Sequence, residues 1–143
     1  MRVNRQLVSL GASLACAAFP LGLYSTIATA TDIKVTLSGD QEVPSLKSAG
    51  TGSGTISVGA DNTVSGSITT AGLAGTAAHI HEGGVGKNGP VLIPLTKSGD
   101  TYSVPPGTKL SEAQLESLKA GTLYVNVHTV ANPNGEIRAQ LKP

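Results

Sequence analysis

Leu123-Tyr124-Val125-Asn126-Val127-His128 alternates between two kinds of side chain, with Leu, Val and Val on one face and Tyr, Asn and His on the other. This period of two predicts a β-strand that is apolar on one side. Asn132-Pro133-Asn134-Gly135 is typical of a turn, and Glu136-Ile137-Arg138-Ala139-Gln140-Leu141 then resumes an extended pattern. The two segments therefore predict an antiparallel hairpin that closes the chain.

The rest of the chain repeats the same design. Short apolar alternations are separated by Gly, Asn, Asp or Pro, and aromatic residues make up 3% of the sequence. This composition predicts an all-β Greek-key sandwich or barrel of about eight antiparallel strands. The further strand candidates are Ile33 to Leu37, a hairpin of Thr55 to Val58 with Thr63 to Ile68, Ala77 to Glu82, and Val91 to Leu95.

Two connecting segments have distinct sequence patterns. Residues 83–90, Gly-Gly-Val-Gly-Lys-Asn-Gly-Pro, predict a loop, and no strand-to-helix junction surrounds them that would suit a phosphate. Glu112 to Lys119 is the one predicted helix, with Ser111 and Gln114 spaced as a capping box and Gly121 after its end. We expect this short helix to cover the sheets from a crossover loop.

The N-terminus predicts a secretory signal over residues 1–30. Arg2 and Arg5 precede an uncharged apolar run, and Ala28-Thr29-Ala30 offers a small-x-small cleavage site. A retained membrane anchor is one alternative, but the run is short and broken by Pro20. A lipid on Cys16 is another, but Ser13-Leu14-Ala15 lacks the usual aliphatic residue three places before the cysteine. We expect residues 31–143 to form a single secreted or periplasmic domain with no membrane span.

The balance of charges excludes several classes of function. The chain has ten Lys and Arg and nine Asp and Glu, so loss of Arg2 and Arg5 leaves eight against nine, a formal charge of −1. This charge predicts no nucleic-acid partner. Because Cys16 lies in the leader, the mature domain has no disulfide and no cysteine nucleophile. Its carboxylates are scattered, which favours solvated surface charges over a hydrolase pair.

The three histidines are the candidate metal ligands. His79 and His81 are one residue apart on a predicted strand, so they share a face, about 6.6 Å apart at the Cα atoms. His128 lies on the polar face of another strand. Convergence of the three depends on strand order, and Glu82 or water could complete the site. Imidazole suits copper, zinc, nickel and iron, and Cu(II) generally binds tightest. Ordinary solvated histidines are the alternative.

Several motifs in a fixed order resemble the chordin (CHRD) domain family. The resemblance spans Ile33 to Leu141 and implies that residues 31–143 are a single CHRD domain, a family found in extracellular proteins and behind bacterial signal peptides. Its motifs are Leu37-Ser38-Gly39-Asp40-Gln41-Glu42-Val43-Pro44, Ala78-His79-Ile80-His81-Glu82-Gly83, Asn88-Gly89-Pro90-Val91, Leu123 to Thr129, and Pro133-Asn134-Gly135-Glu136-Ile137-Arg138.

A more distant similarity is to Cu/Zn superoxide dismutase, an eight-stranded Greek-key barrel. His79-Ile80-His81-Glu82 is similar to its copper-ligand strand, and Val127-His128 resembles the strand that supplies a further copper ligand. The resemblance implies copper bound by His79, His81 and His128. Zinc is in doubt because a fourth, bridging histidine and the zinc loop are absent. Arg138 matches no anion-guiding motif and is interpreted as a solvated strand charge.

Three functions follow from these residues. The first is an exported protein that holds or passes copper through the three histidines. The second is an extracellular protein-interaction module, docking through the sheet face or the glycine-rich loop, with no role for metal. The third is a copper-only dismutase or related redox enzyme, for which the sequence offers no evident proton donor.

Overall fold

The computed structural model describes residues 29–143, and in this range nine strands form two antiparallel sheets. The predicted signal, residues 1–30, lies outside the described residues except for its last two. The elements are β1 (Thr31–Leu37), β2 (Thr51–Val58), β3 (Val64–Ala71), β4 (Gly75–Glu82), β5 (Val91–Pro94), β6 (Thr96–Ser98), β7 (Thr101–Ser103), α1 (Glu112–Lys119), β8 (Leu123–Thr129) and β9 (Ile137–Leu141).

The two sheets pack as a sandwich, which confirms the predicted all-β class. One sheet has the order β1-β2-β3-β7-β6 and the other β5-β4-β8-β9. The chain changes sheet between β3 and β4, between β5 and β6, and between β7 and β8. The third crossing contains α1, as predicted. The sequence pattern missed β6 and β7 because each has three residues, too few to show an alternation.

The core lies between the sheets and is formed by the alternating apolar positions. Val125 and Val127 on β8 are fully buried, as are Ala78 and Ile80 on β4. These positions face the core as predicted, so their neighbours His79, His81 and His128 belong to the opposite face of the same sheet. Because β4 and β8 are directly paired, with Ala77 opposite His128 and His79 opposite Asn126, the three histidines are brought close together.

The helix α1 begins and ends where the sequence predicts. Ser111 accepts a hydrogen bond from the Gln114 backbone N–H, and the Gln114 side chain accepts one from the Ser111 backbone N–H. This reciprocal capping box satisfies two donors at the helix start. Leu118 buries the helix against the core. Within residues 29–143, no helix is long and apolar enough to span a membrane.

Candidate metal centre

The three predicted histidines meet on the outer face of the four-stranded sheet. One candidate ligand nitrogen from each of His79, His81 and His128 lies within 4.8 Å of the other two. Nδ1 of His79 and Nε2 of His128 are 3.0 Å apart. Within residues 29–143 this is the one cluster of three or more potential metal-ligating side chains. The strand pairing therefore produces the convergence on which the sequence hypothesis depended.

His81 is fixed in a single tautomer by the glycine-rich loop. Its Nδ1 lies 3.0 Å from the carbonyl oxygen of Gly89, and since a carbonyl cannot donate, Nδ1 carries the proton. Nε2 therefore presents a lone pair. This nitrogen is buried and has no hydrogen-bond partner among the described residues, and His81 as a whole is 7% exposed. A buried lone pair without a partner is unusual and suits a metal ligand.

His128 is held in the same way by the turn that follows it. Its Nδ1 lies 2.9 Å from the carbonyl oxygen of Pro133, so Nδ1 is again the protonated nitrogen and Nε2 carries the lone pair. His79 Nδ1 then donates to this acceptor. A ligand role for His79 Nδ1 requires its proton to move to Nε2, a change of tautomer without a change of charge.

The spacing of the nitrogens fits a single ion. A metal with bonds of about 2.0–2.1 Å holds two nitrogens roughly 2.8 Å apart at a right angle and roughly 4.2 Å apart in line. The 3.0 Å between His79 and His128 lies inside this range. The largest separation allowed by the cluster, 4.8 Å, exceeds it by about 0.6 Å, which a small ring rotation can close.

Burial keeps the imidazoles of His79 and His81 in the neutral form that can bind a metal. Desolvation lowers the pKa of both His79 and His81 below the usual value near 6.5. The neighbouring His128 lowers the pKa of His79 further, whereas the Gly89 carbonyl opposes the shift at His81. Both rings are therefore neutral at pH 7, the form that coordinates a metal.

The outer face is covered by loops, which corrects the interpretation of Arg138 as a solvated charge. Arg138 is 1% exposed, and its guanidinium carbon lies 3.4 Å from the centre of the Tyr124 ring. Tyr124 in turn stacks on His81, with ring centres 4.8 Å apart and planes 2° from parallel. The guanidinium donates to the loop and to β9, at Gly84 O, Lys87 O, Asn88 Oδ1 and Gln140 Oε1. Arg138 thus anchors the loop that positions His81 to the sheet.

Three of the nine carboxylates, those of Glu42, Glu82 and Glu136, differ from the prediction of solvated surface charges, whereas the other six are exposed as predicted. Glu82, suggested as a possible ligand, lies on the opposite face of β4 and accepts a 2.6 Å hydrogen bond from Ser117 on α1. Glu42 is 5% exposed. Glu136 is partly buried at the turn after β8. The sequence contains no local signal for this burial because the partners are remote along the chain.

Glu136 organises the turn that carries Pro133. Its carboxylate accepts hydrogen bonds from Thr129 Oγ1 at 2.6 Å, Ser48 Oγ at 2.7 Å and Asn132 Nδ2 at 3.2 Å. These bonds, led by the one from Thr129, hold the pKa of Glu136 below its usual 4.5. Since the folded-state pKa is lowered, the stabilisation is fully present above about pH 4.5 and is lost as the pH falls through the folded-state value.

Glu136→Gln is therefore expected to lower the free energy of unfolding by about 1–3 kcal/mol at pH 7, and by less at pH 3. Urea unfolding at the two pH values measures the difference. Glu116→Gln is the control, because Glu116 forms an exposed pair with Lys119 and its loss should change stability little. An equal effect of Glu136→Gln at both pH values would contradict the role of its ionised carboxylate.

A family model described as the CHRD domain matches residues 33–141. The matched range contains the three histidines, the glycine-rich loop and the turn that holds His128. It coincides with the range of the motifs identified in the sequence, from Ile33 to Leu141. No curated protein and no solved structure matches the chain.

Proposed function

The chain belongs to the CHRD domain family, and we propose that it binds one copper ion through His79, His81 and His128 and holds or passes it outside the cytoplasm. CHRD domains occur generally in extracellular or secreted proteins, which supports the proposed location. The observation that carries the proposal is the convergence of the three imidazoles, with the buried Nε2 of His81 left without a hydrogen-bond partner.

The hydrogen bonds to the rings of His81 and His128 support a site that is arranged for metal binding. Carbonyl oxygens of Gly89 and Pro133 each accept the Nδ1 proton of one histidine and so direct its Nε2 inward. Partners of this kind fix the tautomer and orientation of histidine ligands in metalloproteins. Two separate loops perform the same task here.

Copper is favoured over other ions by the chemistry of the donors. Three imidazoles with no thiolate and no carboxylate in the cluster suit Cu(I) and Cu(II). Zinc binds imidazole as well but takes second place, since its affinity for a given nitrogen site is lower than that of Cu(II). Bound copper would supply a Lewis-acidic and redox-active centre.

A copper titration of the metal-free chain tests the proposal. We expect about one Cu(II) per chain, with nitrogen coordination visible by electron spin resonance. His128→Ala should weaken binding by at least about a hundredfold, since losing even the partner of a ligand costs 10–100-fold. Val130→Ala is the matched control, because Val130 is close in the chain and 87% exposed. A Cu(II) affinity of His128→Ala equal to that of the wild type would contradict the proposal.

A second candidate function is docking of an extracellular protein, the interaction module. Val85 and Val130 are 71% and 87% exposed, and they lie on the two loops whose carbonyls hold His81 and His128. Exposed apolar side chains on loops suit a contact surface. A melting temperature that copper leaves unchanged, in a chain with no bound metal from its native compartment, would favour this function over copper binding.

A further inference from the structure

Three side chains form a continuous stack across the outer face of the four-stranded sheet, and the stack ends at the candidate ligand His81. His81 on β4 is paired with Tyr124 on β8, and Arg138 comes from β9, the next strand along. The rings of His81 and Tyr124 lie 2° from parallel with their centres 4.8 Å apart. The Arg138 guanidinium carbon lies 3.4 Å from the centre of the same Tyr124 ring. Because β8 separates β4 from β9, the guanidinium and the imidazole lie against opposite faces of the tyrosine.

The stack places a buried positive charge close to the histidines. Arg138 is 1% exposed and Tyr124 is 2% exposed, so the space between the guanidinium and His81 is filled by the tyrosine ring. An arginine keeps its charge at neutral pH even when it is buried. Burial first, and the charge of Arg138 in addition, lower the pKa of His81. The guanidinium therefore acts against positive charge at this ring.

The charge of Arg138 is compensated only in part. Its hydrogen bonds go to uncharged oxygens, and among residues 29–143 no carboxylate oxygen lies within 4.0 Å of its nitrogens. Within the same residues, Glu42 is the one carboxylate whose charge acts on the guanidinium. Burial raises the pKa of Glu42, although Arg138 and a hydrogen bond from Asn126 oppose the shift. A net positive charge thus remains behind Tyr124.

We propose that Arg138, through its stack on Tyr124 and His81, determines the oxidation state of the bound ion and favours Cu(I) over Cu(II). This inference rests on the proposed copper function. A nearby positive charge repels a doubly charged ion more than a singly charged one, and the buried ring between them leaves no room for screening water. Thiolate and thioether ligands usually select Cu(I), but residues 29–143 contain no cysteine and no methionine. Arg138 would supply that preference by charge instead.

Titrations of the metal-free chain with Cu(II) and, under anaerobic conditions, with Cu(I) test the inference. Arg138→Gln removes the charge, Arg138→Lys keeps it, and both variants lose hydrogen bonds to the loop. We expect Arg138→Gln to raise the ratio of Cu(II) to Cu(I) affinity about tenfold, as for one charge roughly 10 Å away at an effective dielectric constant of about 20. The reduction potential of bound copper should then fall by about 59 mV. Arg138→Lys should keep the ratio within about threefold of the wild type, although both affinities fall.

Asn88→Asp tests the same charge without removing Arg138, and it serves if Arg138→Gln does not fold. Asn88 is exposed, and its Oδ1 accepts from the guanidinium at 3.2 Å. An aspartate has nearly the same shape and adds a negative charge, while the bonds from Arg138 to Gly84 and Lys87 stay in place. We expect the ratio to rise about threefold. Lys142→Gln is the matched control, because Lys142 follows β9 but is exposed, so its charge is screened and the ratio should stay unchanged.

The two affinities together separate a role of the charge from a role in holding the loop. Equal weakening of Cu(I) and Cu(II) in Arg138→Gln would show that Arg138 only anchors the loop, and it would overturn the inference. So would a rise of the ratio in Arg138→Lys as large as in Arg138→Gln, or an unchanged ratio in Asn88→Asp. These results, with binding still lost in His128→Ala, overturn this inference alone, whereas a wild-type chain that binds neither ion overturns the proposed function too.

Discussion

Arg138→Leu is expected to lower the free energy of unfolding by about 3–5 kcal/mol and to weaken copper binding at the same time. The substitution removes the hydrogen bonds to the carbonyls of Gly84 and Lys87, so both oxygens lose a buried donor. It also removes the stacking on Tyr124 and the positive charge that faces Glu42. Loss of copper affinity follows because the loop no longer holds Gly89 against His81.

Urea unfolding of the metal-free chain measures the first effect, and a Cu(II) titration measures the second. Lys34→Leu is the control, because Lys34 is also a basic strand residue but is exposed, and we expect a change within about 0.5 kcal/mol. A stability of Arg138→Leu as close to wild type as that of Lys34→Leu would mean that the buried guanidinium does not anchor the loop.

Gly89→Ala should be the most disruptive change in the glycine-rich loop. A Cβ atom at this position would overlap the carbonyl oxygen of Glu82 on the neighbouring chain segment, so the backbone must move. That backbone holds the site: the Gly89 carbonyl accepts from His81, and its N–H donates to Tyr124 Oη at 3.1 Å. We expect about 3 kcal/mol or more of destabilisation and a copper affinity at least about tenfold lower.

Gly84→Ala provides the comparison within the same loop. Its Cβ would have one neighbour, Thr122 Cγ2 at 3.9 Å, which is an ordinary contact. Thermal unfolding and copper titration of the two variants distinguish two cases. Either any methyl group added to this loop is destabilising, or glycine is required specifically at position 89. Equal behaviour of the two variants would argue against the proposed position of the Gly89 carbonyl.

The period of the strands predicted the sheet faces correctly. Leu123 to His128 alternates without interruption, so the direction of every side chain on β8 follows from the pattern alone. The same argument placed His79 and His81 on one face of β4. Their meeting with His128 depended on strand order, which the local pattern does not contain. The structure shows that β4 pairs directly with β8, which brings the three histidines together.

The loops above the sheet were the part that the sequence could not predict. Arg138 alternates with apolar residues as a solvated strand charge would, yet it is buried because residues 83–90 fold back over it. Glu42 lies 84 positions before Asn126 in the chain, so no spacing rule links them. The one usable signal in the face itself was the large ring of Tyr124, because Asn126 and Arg138 are ordinary side chains for a solvated sheet surface.

The five-stranded sheet contributes none of the candidate ligands, and its exposed side is rich in hydroxyl groups, such as the Thr69 and Thr101 pair 3.1 Å apart. Residues 29–143 contain no cysteine. A thiol introduced at exposed Ser53 on β2 would therefore be unique in this range and remote from the histidines. A fluorophore or an electrode linker attached there could test for copper capture, or fix the domain in one orientation, without touching the face that carries the three histidines.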